Sequence, residues 1–283
     1  MSFRRRPESR VRSIKRIPLH EIRDTMCLIL FAYKVHPSYN LILAANRDEF
    51  YERPSSSADF WEDAPQVLAG RDLKEGGTWM GIDRAGKFAA ITNYRDPASW
   101  KNNAPSRGGL VSSYLCGNQS IDEYLDKISR QAQLYNGYNL ILGDQSELFA
   151  YSNRGEKQKL NSGIYGLSNH FLNTLWPKVF RGKKLLTAAL DKKGAELEEA
   201  LFALLADRKI PADNKLPDTG IGLEWERVLS SIFITSPVYG TRSSTILLIG
   251  KNGRVKFVEK VFDGNPQEWV TSSFSFIRER STE

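Results

Sequence analysis

The chain has 283 residues with a net charge of +7, and 41% of its residues are hydrophobic and 26% charged. This composition is typical of a globular protein and excludes collagen, coiled coils and wholesale disorder. Residues 1–26 carry eight Lys/Arg and three Asp/Glu, whereas the remaining 257 residues carry 32 and 30. Because the body is almost neutral, we expect no nucleic-acid partner. No apolar run is long enough to span a membrane.

The basic segment 1–26 admits several interpretations. Its composition suits a solvated, disordered tail, and it lacks the apolar region of a secretory signal. Its arginines suit a mitochondrial transit peptide, whereas its acids and prolines argue against one. The cysteines, Cys27 and Cys116, form no disulfide framework and favour a reducing, cytoplasmic compartment. We therefore predict a basic, disordered extension over 1–26 and one domain over 27–283.

Hydrophobic periodicity and turn residues predict a mixture of paired strands and helices. In chain order, we expect strands at 27–33, 41–45, 78–82 and 87–92, a helix at 121–130, strands at 138–142, 147–151 and 163–168, helices at 177–190 and 195–206, and strands at 231–234, 242–249 and 254–262. Residues 50–75 and 211–222 are expected to form loops. Strand pairs on either side of a helical block predict an α+β domain, in which two sheets pack together with helices outside.

Polar side chains recur where the predicted strands begin or end, and catalytic groups often lie at such places. They are Cys27, Asn46, Arg47, Asp48, Asn93, Asn169 and Arg242. Each type also has a structural interpretation. Asn and Asp form turns, Arg47 and Asp48 can make a surface ion pair, and Cys27 can be a small buried apolar residue.

The pair Met26 and Cys27 suggests a specific chemistry. If translation began at Met26 and this residue were removed, Cys27 would carry the α-amine of the chain. An α-amine has a pKa of about 7.7–8.0, so it can take the proton of its own thiol at neutral pH. Such a nucleophile needs an acid to orient the amine, for which Asp48 is a candidate, and donors for the oxyanion, for which Asn93 and Asn169 are candidates.

Short motifs in a fixed order make the sequence similar to a known family. They are Met26–Ile29, Asn46–Glu49 (Asn-Arg-Asp-Glu), Ala69–Asp72, Gly76–Gly81, Thr92–Arg95, Ser106–Gly108, Leu167–Asn169 and Gly240–Thr245. One motif alone would be weak, but the ordered set extends over nearly the whole body. It resembles the NRDE family, also called the transport-and-Golgi-organisation family.

This resemblance implies both a fold and a site. The family is similar to N-terminal-nucleophile (Ntn) hydrolases, which have a four-layer αββα sandwich of two antiparallel sheets. Cysteine enzymes of that superfamily cleave non-peptide amide C–N bonds of small molecules. The resemblance therefore implies Cys27 as nucleophile and, through its amine, as base; Arg47 and Asp48 as holders of the thiol and amine; Asn93 and Asn169 as oxyanion donors; and Arg242 as the last member of the polar ring.

The segment before Cys27 departs from the family pattern. While residues 1–26 remain attached, Cys27 has no α-amine and cannot supply its own base. Three explanations compete. Met26 is the true start, which the abrupt change of composition favours; or the segment is a removed propeptide or transit peptide; or the protein is not a hydrolase and Cys27 is only a strand residue.

A non-enzymatic binding or trafficking protein is the second hypothesis. Animal relatives are linked to Golgi organisation, and family members have been proposed to move haem, so the resemblance also admits haem as cargo. The histidines are His20, His36 and His170, and no Cys-x-x-Cys-His motif is present. His36 or His170 could ligate haem iron, although for His36, in a predicted turn, a solvated or hydrogen-bonded loop histidine is the simpler interpretation.

Other sites have weaker support. No spacing of His, Cys or acidic residues fits a metal site. The glycines of Gly76–Gly81 fit neither the Gly-x-Gly-x-x-Gly motif nor a Walker loop, so we expect no metal or cofactor. These glycines instead predict a close backbone approach. Trp61, Trp79 and Trp100 either line an apolar substrate pocket or belong to the half-buried core.

Overall fold

The computed structural model describes residues 27–262 and 269–279, so the predicted extension 1–26 lies outside the described residues. The strands are β1 (Cys27–Tyr33), β2 (Tyr39–Phe50), β3 (Ser55–Phe60), β4 (Val67–Asp72), β5 (Met80–Asp83), β6 (Phe88–Asn93), β7 (Tyr138–Gly143), β8 (Leu148–Ser152), β9 (Lys157–Lys159), β10 (Gly163–Leu167), β11 (Tyr239–Gly250), β12 (Arg254–Val261) and β13 (Val270–Ile277). The helices are α1 (Gly108–Cys116), α2 (Ile121–Ser129), α3 (Pro177–Ala189), α4 (Gly194–Leu205) and α5 (Leu223–Val228).

The strands form two antiparallel sheets. One has six strands in the order β10-β1-β2-β11-β12-β13, and the other has seven in the order β3-β4-β5-β6-β7-β8-β9. In the six-stranded sheet, Cys27 lies opposite Arg47, so these two side chains emerge on the same face. The pairing of β2 with β11 shifts register between Thr241 and Ser243. This irregularity lies next to the Asn46–Glu49 motif.

Three apolar clusters hold four layers together. The first lies between the sheets and includes Ile29 and Phe31 of β1. Leu28 and Leu30 point the other way and belong to the second cluster, which packs the six-stranded sheet against α3 and α4. The third cluster packs α1 and α2 against the outer face of the seven-stranded sheet. Strand β1 is apolar throughout because helices cover one face and a sheet covers the other. The predicted α+β fold, an αββα sandwich of two antiparallel sheets, is confirmed.

Local predictions failed where pairing or packing overrides a weak sequence signal. The region 50–75 is not an irregular loop, because β3 and β4 pair within it despite a register shift after Ser56. The expected strand at 231–234 is absent; residues 231–233 form bends, in which Ile232 and Phe233 are buried. Helix α1 was not predicted, since it begins with two glycines, which are poor helix formers. Strand β13 and helix α5 were also not predicted.

The described helices are also short. Within residues 27–262 and 269–279, none has the length and apolar character needed to cross a membrane.

Candidate active site

The Asn46–Glu49 motif forms the last part of β2, where successive side chains point to opposite faces of the sheet. Asn46 is buried on the helix-covered face, where its Nδ2 donates to the carbonyls of Leu205 (2.9 Å) and Ile232 (2.8 Å). Its Oδ1 accepts a hydrogen bond from Ser244 Oγ at 2.7 Å. Asn46 therefore joins the sheet to the end of α4 and to the segment before β11, which is a structural role.

Arg47 points toward the other sheet, on the same face as Cys27. Its guanidinium stacks on Trp79 at 4.3 Å from the ring centroid, and its Nη2 lies 3.6 Å from Glu49 Oε2. Only 6% of its surface is exposed. The cation is thus fixed between an aromatic ring and a carboxylate, next to the cysteine.

Cys27 is a buried thiol at the first residue of β1. Burial, and to a smaller extent the negative charge of Asp48, raises the pKa of the thiol to about 12. The backbone N–H of Asp48 donates to the sulfur and, together with the charge of Arg47, acts in the opposite direction. At neutral pH the thiol is therefore protonated, and it needs a base before it can act as a nucleophile.

Asp48 is fully buried on the helix-covered side, and its two oxygens differ. Oδ1 accepts a hydrogen bond of 2.6 Å from Thr241 Oγ1, whereas Oδ2 has no hydrogen-bond partner among the residues that the structure describes. Burial raises the pKa of this carboxyl to about 7, although Lys178, Thr241 and Arg47 favour its ionised form. Asp48 Oδ2 is therefore a buried oxygen near Cys27 that can still accept a hydrogen bond.

Asn93 and Asn169 join the two sheets near the cysteine. Asn93 ends β6, and its carbonyl accepts a hydrogen bond of 3.0 Å from Asn169 Nδ2. Ser168 Oγ lies 3.1 Å from both Asn169 Oδ1 and the Cys27 carbonyl. Asn169 is fully buried, so its side chain fixes the ends of β6 and β10 relative to the start of β1.

Arg242 lies in β11 and binds the turn that follows β2. Its Nη1 donates to the carbonyls of Phe50 (2.8 Å), Tyr51 (3.0 Å) and Arg53 (3.0 Å). The guanidinium therefore holds the chain that follows the Asn46–Glu49 motif in one conformation, which is a structural role beside the site.

A cleft of about 570 Å³ opens onto the cysteine. It is lined by four of the six predicted site residues, Cys27, Arg47, Asp48 and Asn93, and not by Asn169 or Arg242. Charges of both signs surround it, from Glu49, Glu52, Arg53, Asp72, Lys74, Glu75, Lys101 and Arg107. Trp79 and Trp100 also line the cleft, whereas Trp61 packs in a core and donates its Nε1–H to the Ala69 carbonyl.

Two histidines lie among the described residues, and both have hydrogen-bond partners. His170 Nε2 lies 3.0 Å from Tyr94 Oη, and its Nδ1 lies 3.0 Å from Thr174 Oγ1. His36 Nδ1 accepts the Ser38 N–H at 3.1 Å. Coordination of haem iron through His170 would require one of its two hydrogen bonds to break. In the part of the chain that the structure describes, no group of three or more His, Cys, Asp or Glu could hold a metal ion.

Lys178 lies near the site but is not among the residues predicted from the sequence. It is the second residue of α3 and is only 3% exposed. A signal was present, because the small or apolar Gly182, Leu186 and Ala189 follow it at helical spacing and are buried. This stripe places Lys178 on the face of α3 that packs against the sheet.

The fold and the site together define a class of protein: an αββα sandwich with a buried cysteine and a buried aspartate where β1 begins and β2 ends. Residues 26–264 match the model of the Transport and Golgi organisation 2 family. The chain therefore belongs to this family.

Curated relatives support the assignment. The chain is 42% identical over 274 residues to the bovine "Transport and Golgi organization protein 2 homolog", covering 89% of this chain and 99% of the relative. It is 40% identical over 274 residues to the human homologue, with the same two coverages. The Drosophila melanogaster protein is 28% identical over 264 residues, covering 84% of this chain and 93% of the relative.

Two solved structures are similar at low sequence identity. One is a Caenorhabditis elegans orthologue of N-acylethanolamine-hydrolyzing acid amidase, with a TM-score of 0.48, 12% identity, and coverage of 85% of this chain and 94% of that chain. The other is a mutant conjugated bile acid hydrolase from Clostridium perfringens, with a TM-score of 0.46, 10% identity, and coverage of 92% and 99%.

Proposed function

We propose that this protein is a cysteine amidohydrolase, in which Cys27 becomes the first residue and cleaves a non-peptide amide C–N bond of a small molecule. The observation that carries the proposal is the buried Asp48 Oδ2, which has no hydrogen-bond partner among the described residues. A free α-amine on Cys27 would supply the donor that this oxygen lacks. The Asp48 backbone N–H already holds the Cys27 sulfur, so amine and thiol would be fixed by one residue.

The proposed reaction begins with proton transfer from the Cys27 thiol to its own α-amine. The thiolate attacks the amide carbonyl carbon, and the carbonyl π electrons move to the oxygen. When the tetrahedral intermediate collapses, the C–N bond breaks, and the leaving amine takes the proton from the α-ammonium. Water then gives a proton to the α-amine, attacks the thioester and releases the acid and the thiol.

The neighbouring residues suit this sequence of steps. Arg47 places a fixed positive charge next to the developing thiolate, which it stabilises. Asn93 lines the cleft near Cys27 and can donate to the oxyanion, while Asn169 holds the Asn93 main chain in place. The mixed charges around the cleft favour a polar small molecule as substrate.

The proposal is tested with two forms of the protein: the full chain, and a processed form that begins at Cys27. Translation started at Met26, followed by removal of this methionine, gives the processed form, which retains the entire family match beyond Met26. Both forms are incubated with an alkyne-bearing β-lactone, whose ring opens when a thiolate attacks its carbonyl. The ring oxygen then takes the proton from the α-ammonium, and a thioester remains on the sulfur.

We expect the probe mass on Cys27 in the processed form and little or none in the full chain, because only the processed form has the α-amine. The exposed Cys116 is an internal control for unspecific labelling in both forms. Peptide mass spectrometry gives the site, and thermal unfolding shows that both forms are folded. Equal labelling of both forms, or labelling of Cys116 alone, would overturn the proposal.

A further inference from the structure

Lys178 carries a buried amine that the proposed reaction has not used. Its side chain is 3% exposed, and its Nζ has no hydrogen-bond partner among the described residues. Its hydrophobic neighbour Val179 packs in the cluster between α3 and the six-stranded sheet. A lysine ammonium is almost never fully buried unless a counter-charge is near it.

Asp48 provides this counter-charge. Among the charges around Lys178, Asp48 has the largest effect, and among those around Asp48, Lys178 has the largest effect. Each group also has a buried polar atom without a hydrogen-bond partner in the described part of the chain, Nζ in one and Oδ2 in the other. The charge of Cys27 also acts on Lys178, so the three groups are neighbours.

The other charged groups near this trio are already paired. Arg95 Nη1 binds Glu226 Oε2 at 2.9 Å, and both residues act on Lys178 with opposite signs. Arg47 and Glu49 act on Asp48 and on Cys27, also with opposite signs. Within each pair the two charges act in opposite directions, and Lys178 is the cation with the largest effect on Asp48.

We propose that Lys178 is a positioning residue of the reaction: its ammonium serves as the counter-ion of Asp48, and the Cys27 α-amine can therefore be neutral and accept the thiol proton. This inference rests on the proposed function. A buried carboxylate stays ionised when nearby cations offset its charge. Without Lys178, the α-amine would supply more of this positive charge and would stay protonated to higher pH, where it cannot act as the base.

The test follows the rate of β-lactone acylation of Cys27 against pH in the processed form. Lys178→Met removes the cation with the largest effect on Asp48, so the α-ammonium takes over more of the compensation. The pKa of the α-ammonium therefore rises, and its base form appears at higher pH. We expect the midpoint of the profile to rise by about one pH unit, which lowers the rate at the acidic side about tenfold and leaves the alkaline plateau unchanged. Lys178→Arg keeps the charge and should keep the wild-type midpoint.

Lys183→Met is the matched control, since Lys183 is on the same helix but donates to Asn173 Oδ1 at 2.8 Å. If Lys178→Met does not fold, Lys178→Gln should give the same shift. Profiles of Lys178→Met and wild type that coincide, while Cys27 is acylated, would overturn the role of Lys178 alone. A wild-type processed form that is not acylated at any pH would overturn the proposed function and this inference with it.

Discussion

Replacing Asp48 by asparagine in the processed form is expected to slow acylation of Cys27 by about 10²–10⁴-fold, the usual contribution of general acid–base catalysis, because the α-amine loses the carboxylate that orients it as the base. The amide has the shape of the carboxylate and can still accept the hydrogen bond that Thr241 donates to Asp48 at 2.6 Å in the wild type. The substitution removes the negative charge, however, and can place an amide N–H where the Cys27 α-amine needs a hydrogen-bond acceptor. The rate of probe incorporation measures the effect, and thermal unfolding shows whether the fold is kept.

Asp83→Asn is the matched control for this experiment. Asp83 is also a buried carboxyl whose pKa is raised by burial, but it ends β5 in the other sheet and does not line the cleft. We expect the control to acylate at the wild-type rate. Equal rates in the two variants would show that Asp48 does not hold the amine.

Replacing Gly77 by alanine is expected to lower the free energy of unfolding by about 3 kcal/mol, the upper part of the usual range for overpacking. A Cβ at Gly77 would lie 2.5 Å from the Gly108 carbonyl carbon and 2.7 Å from the Gly109 nitrogen. Both contacts are with backbone at the start of α1, which cannot rotate away as a side chain can. Urea unfolding measures the loss.

Gly109→Ala is the matched control, because an added Cβ there has no atom within 4 Å. Since this position lies inside α1, alanine should leave stability unchanged or raise it by up to about 1 kcal/mol. Similar losses in both variants would mean that the close approach of Gly77 to α1 does not limit the fold. Gly77 is therefore a position within Gly76–Gly81 at which the predicted close approach of two backbone segments occurs.

The layered fold could be predicted because its signals are local. The apolar run of β1 indicates a strand covered on both faces, and Ser120 with Glu123 forms the capping box that starts α2. By contrast, β3 depends on pairing with β4 and contains three serines, so no local pattern identifies it. Ile232, Phe233 and Ile234 are apolar because they are buried in the core, and apolar character alone cannot distinguish such a buried segment from a strand.

The candidate site also contains residues that local sequence signals identify and residues whose role depends on contacts with distant segments. Cys27, Arg47, Asp48 and Asn93 could be proposed from the ends of predicted strands, and all four line the cleft. The sequence alone could not show that Asn46 is structural, because its partners are carbonyls of distant segments.

Lys178 escaped prediction for a related reason. Its importance depends on how α3 docks on the sheet, and this docking brings it close to Asp48. A charged residue in the buried stripe of a helix is the only local sign of such a group.

The most direct test of the central claim is the mass of the N-terminal peptide of the protein isolated from its own organism. The family match begins at residue 26, and the proposed reaction needs the α-amine of Cys27. We predict that the first residue of the mature protein is Cys27. A mature protein that retains residues before Cys27 would contradict the proposed reaction.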